Sequence, residues 1–261
     1  MKISVRDLSF IYAEQKILGK YLFNHFNADL DGGEAARPLV ILGSSGCGKT
    51  TLLKLLGGLL KPQEGTIYFS GEEKAVEKMA GEYNAAFMFQ EPRLLPWLTV
   101  LQNVSLPLEK IFGKEESQTR AQHFLSLVSL EDKEGAFPAE LSGGQAQRVS
   151  MARAFAWPSP ALFMDEPFQS LDIPLRLHLM DLCLSLQERE KRLLIAVTHD
   201  PREAVYMGGR IIILGEAGEG IVFDRIIHLH PDERTYGSAA VGELERELIQ
   251  HLRYPPPSNP A

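Results

Sequence analysis

Apolar residues recur along this chain with different periods, and the period changes at definite places. Near the N-terminus Ile3, Val5 and Leu8 alternate with polar positions, and Ile17-Leu18 and Tyr21-Leu22-Phe23 lead to Phe26, which predicts short strands. Thr66-Ile67-Tyr68-Phe69 reads as another, closed by a turn at Ser70-Gly71. Elsewhere the apolar residues stand in unbroken runs at 38–42, 85–89, 161–164 and 193–197, and behind Arg210 in the strand expected over 210–214. Such runs predict strands covered on both faces, as in a parallel sheet. Helical spacing appears at 117–130, through Ala121, Phe124, Leu125 and Val128, and again over 174–189 and 202–207. A last helix is expected over 241–252, with Leu244, Leu248 and Leu252 on one face.

Strand, helix, strand across 161–197 is the order of an α/β fold with a parallel sheet. The expectation is one domain over residues 1–261: a core from 1–90 and 161–230, a helical insert over 91–160, and a helix with a poorly ordered tail over 231–261. The prolines between 254 and 260 predict an extended end.

Composition narrows the class. The apolar runs are far too short to span a bilayer, and the alternating start lacks the apolar stretch of a signal peptide, so the chain is expected in the cytosol. Lys and Arg number 27 against 34 Asp and Glu, a net charge of −7, which argues against a nucleic-acid partner held by a basic face. Two cysteines, Cys47 and Cys183, build neither a disulfide framework nor a cysteine-based zinc site.

Candidate chemistry begins after the run at 38–42. Gly43-Ser44-Ser45-Gly46-Cys47-Gly48-Lys49-Thr50 lies between that apolar strand and the leucine-rich stretch from Thr51 to Leu56. Strand, glycine loop and helix form a phosphate-binding loop: backbone N–H groups and the helix N-terminus converge on an anion, and glycines let the backbone approach closely. Lys49 would reach the β- and γ-phosphates and Thr50 would ligate Mg²⁺, with Thr51 beside it. The run at 161–164 ends in Asp165-Glu166, placing Asp165 to hold Mg²⁺ through water and Glu166 to polarise an attacking water.

Leu141-Ser142-Gly143-Gly144-Gln145 opens another helix. Taken alone it is an ordinary serine cap. Carrying this LSGGQ pentapeptide unaltered, the chain resembles the ATP-binding-cassette (ABC) family. The resemblance implies a phosphate-loop ATPase with a RecA-like parallel core, an N-terminal antiparallel β subdomain and an inserted helical subdomain. It also implies that Ser142, Gly143, Gly144 and Gln145 of one chain close over ATP bound to the phosphate loop of a second ATPase subunit, with a homodimer expected.

Under the same resemblance Gln90 touches Mg²⁺ and water, Asp172 after Ser170-Leu171 belongs to a loop crossing the dimer interface, and His199 in Val197-Thr198-His199-Asp200 contacts the γ-phosphate. Tyr12 stands where the family stacks an aromatic ring on adenine, although Phe10 competes for that role. Partners implied are an integral membrane permease and, indirectly, a periplasmic or lipid-anchored solute-binding protein. The chain would then work at the cytoplasmic face of the cell membrane.

Phe89-Gln90-Glu91-Pro92-Arg93-Leu94-Leu95-Pro96-Trp97 and Met164-Asp165-Glu166-Pro167-Phe168 resemble the nitrate, sulfonate and taurine importers. Importers of vitamin precursors such as the thiamine pyrimidine share this ATPase type. Soluble ABC ATPases of DNA repair or translation are the other class, but their long coiled coils or second cassette find no counterpart here. Gln145-Ala146-Gln147-Arg148 and the proline in Asp172-Ile173-Pro174 depart from the branch pattern without touching catalytic positions. The cluster at 94–97 either receives a permease helix or packs inside the helical subdomain.

Overall fold

Strands with no exposed position carry the centre of the molecule. In the computed structural model β3 (Leu39–Gly43), β7 (Ala161–Asp165) and β8 (Leu193–Val197) are buried throughout. The structure describes residues 1–13, 20–33, 37–70, 78–79, 85–169, 171–235 and 238–253. Ile17-Leu18, Gly71, Ser170 and the proline-rich end at 254–260 lie outside the described residues.

Side chains alternate between two cores across these strands. Val40, Leu42, Leu162, Met164, Leu194 and Ala196 enter one apolar cluster, and Leu39, Ile41, Ala161, Phe163, Leu193 and Ile195 enter the other. Because both faces are covered, no polar alternation appears in the sequence. Each of these side chains larger than alanine contributes about 1.5–3 kcal/mol on burial.

The six-stranded sheet runs β10 (Ile221–Ile226), β9 (Arg210–Leu214), β3, β8, β7, β6 (Ala86–Met88). It is parallel except for β10 on β9. A second, antiparallel sheet has the order β2 (Phe23–Leu30), β1 (Lys2–Phe10), β4 (Glu64–Ser70), β5 (Lys78–Met79). Its Ile3, Val5, Leu8, Ile67 and Phe69 share a cluster with Leu52, Leu53 and Leu56 of α1 (Lys49–Leu56), so the antiparallel layer lies over the helix that leaves the glycine loop.

The insert contains α2 (Val100–Ser105), α3 (Glu109–Phe112), α4 (Lys114–Leu127) and α5 (Gly143–Ala156). The helix expected over 117–130 starts earlier and ends earlier. Gly113, at φ 77°, sets its start, and Ser129, at φ 54°, turns the chain out of helix so that Leu130 packs back into the core. Arg153 of α5 donates to Pro92 O (2.7 Å) and Arg93 O (3.0 Å), tying the insert to the segment after Gln90.

After β7 come α6 (Ile173–Glu190), then α7 (Pro201–Met207) beyond β8, and finally α8 (Ala239–Arg253), which buries Val241, Leu244 and Leu248. Among the described residues no helix is long and apolar enough to cross a membrane.

Candidate nucleotide site

Parallel pairing aligns the strand ends. Gly43 pairs with Leu214 and Asp165 with Val197, so the turns beginning at Ser44, Glu166 and Thr198 leave the sheet at one edge. Open α/β sheets bind ligands outside the carboxyl ends of their strands. A cavity of about 620 Å³ lies there.

Its floor is the glycine loop. A Cβ on Gly43 would stand 2.5 Å from Cys47 Sγ and 2.9 Å from Leu214 O, and one on Gly48, at φ 109°, would meet the Phe23 ring at 2.9 Å. Glycine is therefore required at both by close approach, and at Gly48 by backbone angle as well. Lys49 is buried, and its Nζ donates to Gly43 O (2.8 Å) and Ser44 O (2.9 Å). The ammonium is thus folded over the loop, its donors engaged by carbonyls, and among the described residues it forms no ion pair.

Thr50 Oγ1 donates to Asp165 Oδ1 at 2.8 Å. Burial pushes the Asp165 carboxyl above its ordinary range, and the Thr50 hydrogen bond opposes that shift. A buried carboxylate beside a hydroxyl is a donor set for a hard divalent cation. Mg²⁺ bound with phosphates needs only one or two protein ligands, which suits a chain with no group of three or more His, Cys, Asp or Glu gathered among the described residues.

Glu166 adopts φ 46°, a left-handed conformation rare for a side chain that is not glycine. Its N–H donates to Val197 O at 3.0 Å, and the turn presents its carboxylate to the cavity. Gln90 Nε2 donates to Glu166 Oε2 (3.1 Å) and to Gln169 Oε1 (2.9 Å), and His199 Nδ1 lies 3.3 Å from Glu166 Oε1. Strain of this kind costs on the order of 1–3 kcal/mol and persists where the surroundings enforce it.

Tyr12 closes one side of the cavity. Phe10 is buried and meets the Tyr12 ring edge-on at 5.0 Å, whereas Tyr12 is 37% exposed and its hydroxyl hydrogen-bonds Thr51 Oγ1 at 2.9 Å. Of the two rings the sequence left in competition, Tyr12 is the one that lines the cavity.

Tyr12, Ser45, Gly46, Gly48, Lys49, Thr50, Thr51, Gln90, Glu166 and His199 are thus brought together, with Leu22 and Gln169 added by the fold. Gln169 had only a weak signal in sequence, a polar residue three places after Glu166, and Leu22 reads as an ordinary strand position. Cys47 is buried under Gly43, and burial pushes its thiol up.

Ser142 to Gln145 do not line the cavity. Ser142 caps α5, accepting from Gln145 N (3.2 Å), while its own N–H donates to Gln145 Oε1 (2.8 Å). Ser142 and Gly143 are exposed, and a Cβ on Gly143 would meet nothing within 4 Å. Asp172 likewise stands exposed, outside the cavity, accepting from Leu175 N (3.1 Å) at the start of α6.

A parallel sheet, a strand–glycine loop–helix with its lysine folded over the loop, and acids at the end of β7, one strand removed from β3, define a phosphate-loop ATPase cassette. The chain belongs to the ABC transporter family, whose model matches residues 23–169.

It is similar to the aliphatic sulfonates import ATP-binding protein SsuB of Bacillus cereus, 35% identical over 256 residues, covering 97% of each chain. It is also similar to that of Rhodopseudomonas palustris, 41% identical over 218 residues, covering 84% of this chain and 74% of the relative. Among solved structures it resembles the dimeric post-hydrolysis state of the ATP-binding cassette MJ0796 bound to ADP and Pi. That match has a TM-score of 0.73 and 29% identity, and covers 87% of this chain and 100% of that one.

Proposed function

We propose that this chain is the ATP-hydrolysing subunit of an importer for aliphatic sulfonates, bound peripherally to a permease at the cytoplasmic face of the membrane. The solute class rests on the names of relatives that match nearly the whole chain. One observation carries the catalytic reading: the Glu166 carboxylate meets both Gln90 and His199 at the rim of the cavity whose floor is the Lys49 loop.

ATP fits this arrangement with its adenine against Tyr12 and its phosphates on the N–H groups of residues 45–51. Lys49, drawn from Gly43 O and Ser44 O, neutralises β- and γ-phosphate charge. Glu166 accepts a proton from the water that attacks the γ-phosphorus, Gln90 orients that water, and His199 holds the departing phosphate. Thr50 and Asp165, with Gln90 beside them, would hold Mg²⁺, which supplies further charge neutralisation on the phosphates.

Ser142, Gly143 and Gly144 do not line the chain's own cavity. A helix N-terminus with free N–H groups is an anion site, and in a dimer it would serve the partner's ATP. Each chain then holds half of each site, so ATP joins the two copies and hydrolysis parts them. Trp97, 70% exposed beside half-buried Leu94 and Leu95, is a contact for a permease segment and not an interior residue of the insert.

The test is Glu166→Gln. With ATP and Mg²⁺ the variant should elute as a stable dimer and release phosphate on the order of a hundredfold or more slowly than wild type. Wild-type turnover by this variant removes the reading. Failure of a deletion strain to accumulate an aliphatic sulfonate, restored by the gene, tests the solute.

A further inference from the structure

His199 stands on the turn that leaves β8, and that turn is braced by a buried acid. Glu203, in the first turn of α7, is 5% exposed and lies among Val40, Phe168, Ala196 and Met207. The Thr198 hydroxyl donates its one proton to Glu203 Oε2 at 2.6 Å and accepts from Asp200 N at 3.1 Å. Both sides of the residue before His199 are therefore committed, which fixes the direction in which the histidine leaves the strand.

The other oxygen of Glu203 is 3.3 Å from Arg176 Nη1, and the same nitrogen donates to Asp200 Oδ2 at 3.4 Å. Arg176 lies one turn beyond Asp172 in α6, and its Nη2 donates to Leu171 O at 3.2 Å. The guanidinium thus touches the Leu171–Asp172 turn with one nitrogen and the His199 turn with the other. Removing Arg176 takes from the buried Glu203 the cation at 3.3 Å and from Asp200 the one at 3.4 Å, so the guanidinium holds the two turns in a single relative position.

We infer that Arg176 and Glu203 are positioning residues that hold His199 over the nucleotide and tie its placement to the turn bearing Asp172. Neither touches the cavity. They act through Thr198: a shift of the Leu171–Asp172 turn moves the guanidinium, and the acids that follow it are Asp200, next to His199, and Glu203, which accepts from Thr198. If that turn meets a second copy, formation of the dimer is reported to His199 within the same chain. The inference rests on the reading of His199 as a group that contacts the γ-phosphate.

The experiment measures steady-state phosphate release by the full chain for Arg176→Gln, Arg176→Lys, Glu203→Gln, His199→Ala and the double variant Arg176→Gln/His199→Ala. A misplaced group costs rate and not ground-state binding, so Arg176→Gln and Glu203→Gln should each lower kcat on the order of tenfold with KM for ATP unchanged. Arg176→Lys should recover most of the rate. The double variant should be no slower than His199→Ala alone, because residues acting through one group are not additive.

Additive losses in the double variant, or unchanged kcat in Arg176→Gln and Glu203→Gln beside an impaired His199→Ala, overturn this inference alone. Wild-type kcat in His199→Ala overturns the parent reading and this inference with it. Should Arg176→Gln fail to fold, Glu203→Gln decides, since it keeps the size of the side chain and an oxygen for Thr198; it is then paired with His199→Ala.

Discussion

The Thr50 hydroxyl donates to Asp165 Oδ1 across 2.8 Å, joining the start of α1 to the end of β7 over 115 positions of sequence. This bond brings the glycine loop and the acidic strand end into one site. It also keeps a carboxylate buried whose charged form the surroundings disfavour.

Removing the two partners should therefore have opposite effects on stability. Thr50→Ala leaves a buried acceptor without its donor and should cost about 1–3 kcal/mol. Asp165→Asn removes the charge that burial penalises and should be at least as stable as wild type. Both should lose Mg²⁺-dependent ATP hydrolysis, on the order of a hundredfold. Urea unfolding midpoints beside phosphate-release rates would check the contrast; an Asp165→Asn less stable than Thr50→Ala contradicts it.

Glu166, proposed to accept the proton of the attacking water, has a strained backbone at φ 46°. Glycine relieves the Cβ clash, so Glu166→Gly should raise stability by about 1 kcal/mol while abolishing turnover. Thermal melting of the nucleotide-free chain reads the first effect, and a phosphate assay the second. A melting point unchanged or lowered would show that the turn holds no releasable strain.

Stability should also fall as pH rises above the ordinary carboxyl range, partly because of Glu203. Burial raises its folded pKa above the ordinary 4.5, opposed by the Thr198 hydrogen bond and the Arg176 charge. The folded chain therefore binds its proton more tightly than the unfolded chain does. Its contribution is present below 4.5 and lost as pH climbs through the raised folded value. Glu203→Gln does not titrate, so its denaturation midpoint should decline less across that window. Asp165, shifted the same way, should leave a residual slope.

Trp97 presents an exposed ring on the insert, away from the cavity lining. Trp97→Ala should leave ATP binding and the hydrolysis rate of the isolated chain within about twofold of wild type, as expected of a surface substitution, while uncoupling hydrolysis from solute uptake in the assembled transporter. Uptake measured in cells beside ATPase rate in vitro separates the two; unchanged uptake removes the docking role.

Much of this was readable in the chain because its determinants are local. Gly43, Gly46 and Gly48 between an apolar run and a leucine-rich stretch specify strand, loop and helix without reference to anything distant, and Ser142 caps α5 from within its own turn. The unbroken runs announced a sheet covered on both faces, and β3, β7, β8 and β9 lie close to where they were expected. The helix expected over 117–130 was misjudged at both ends, since apolar spacing continues past Ser129 while its backbone does not.

What required the tertiary structure was every relationship between residues far apart in sequence. Whether Phe10 or Tyr12 faces the cavity depends on where β1 ends: Phe10 is its last residue and is buried, whereas Tyr12 lies beyond the strand and lines the cavity. Gln169 enters the site because Gln90 reaches it across 79 positions. The Arg176–Glu203 pair and the exposure of Trp97 leave no pattern in the sequence, because an ion pair or an uncovered ring is defined by what other segments bring to it. Apolar periodicity and turn chemistry thus determined which elements form and where the phosphate loop lies. Only packing decided which side chains share the cavity, because packing alone sets distances between elements that the backbone does not directly join.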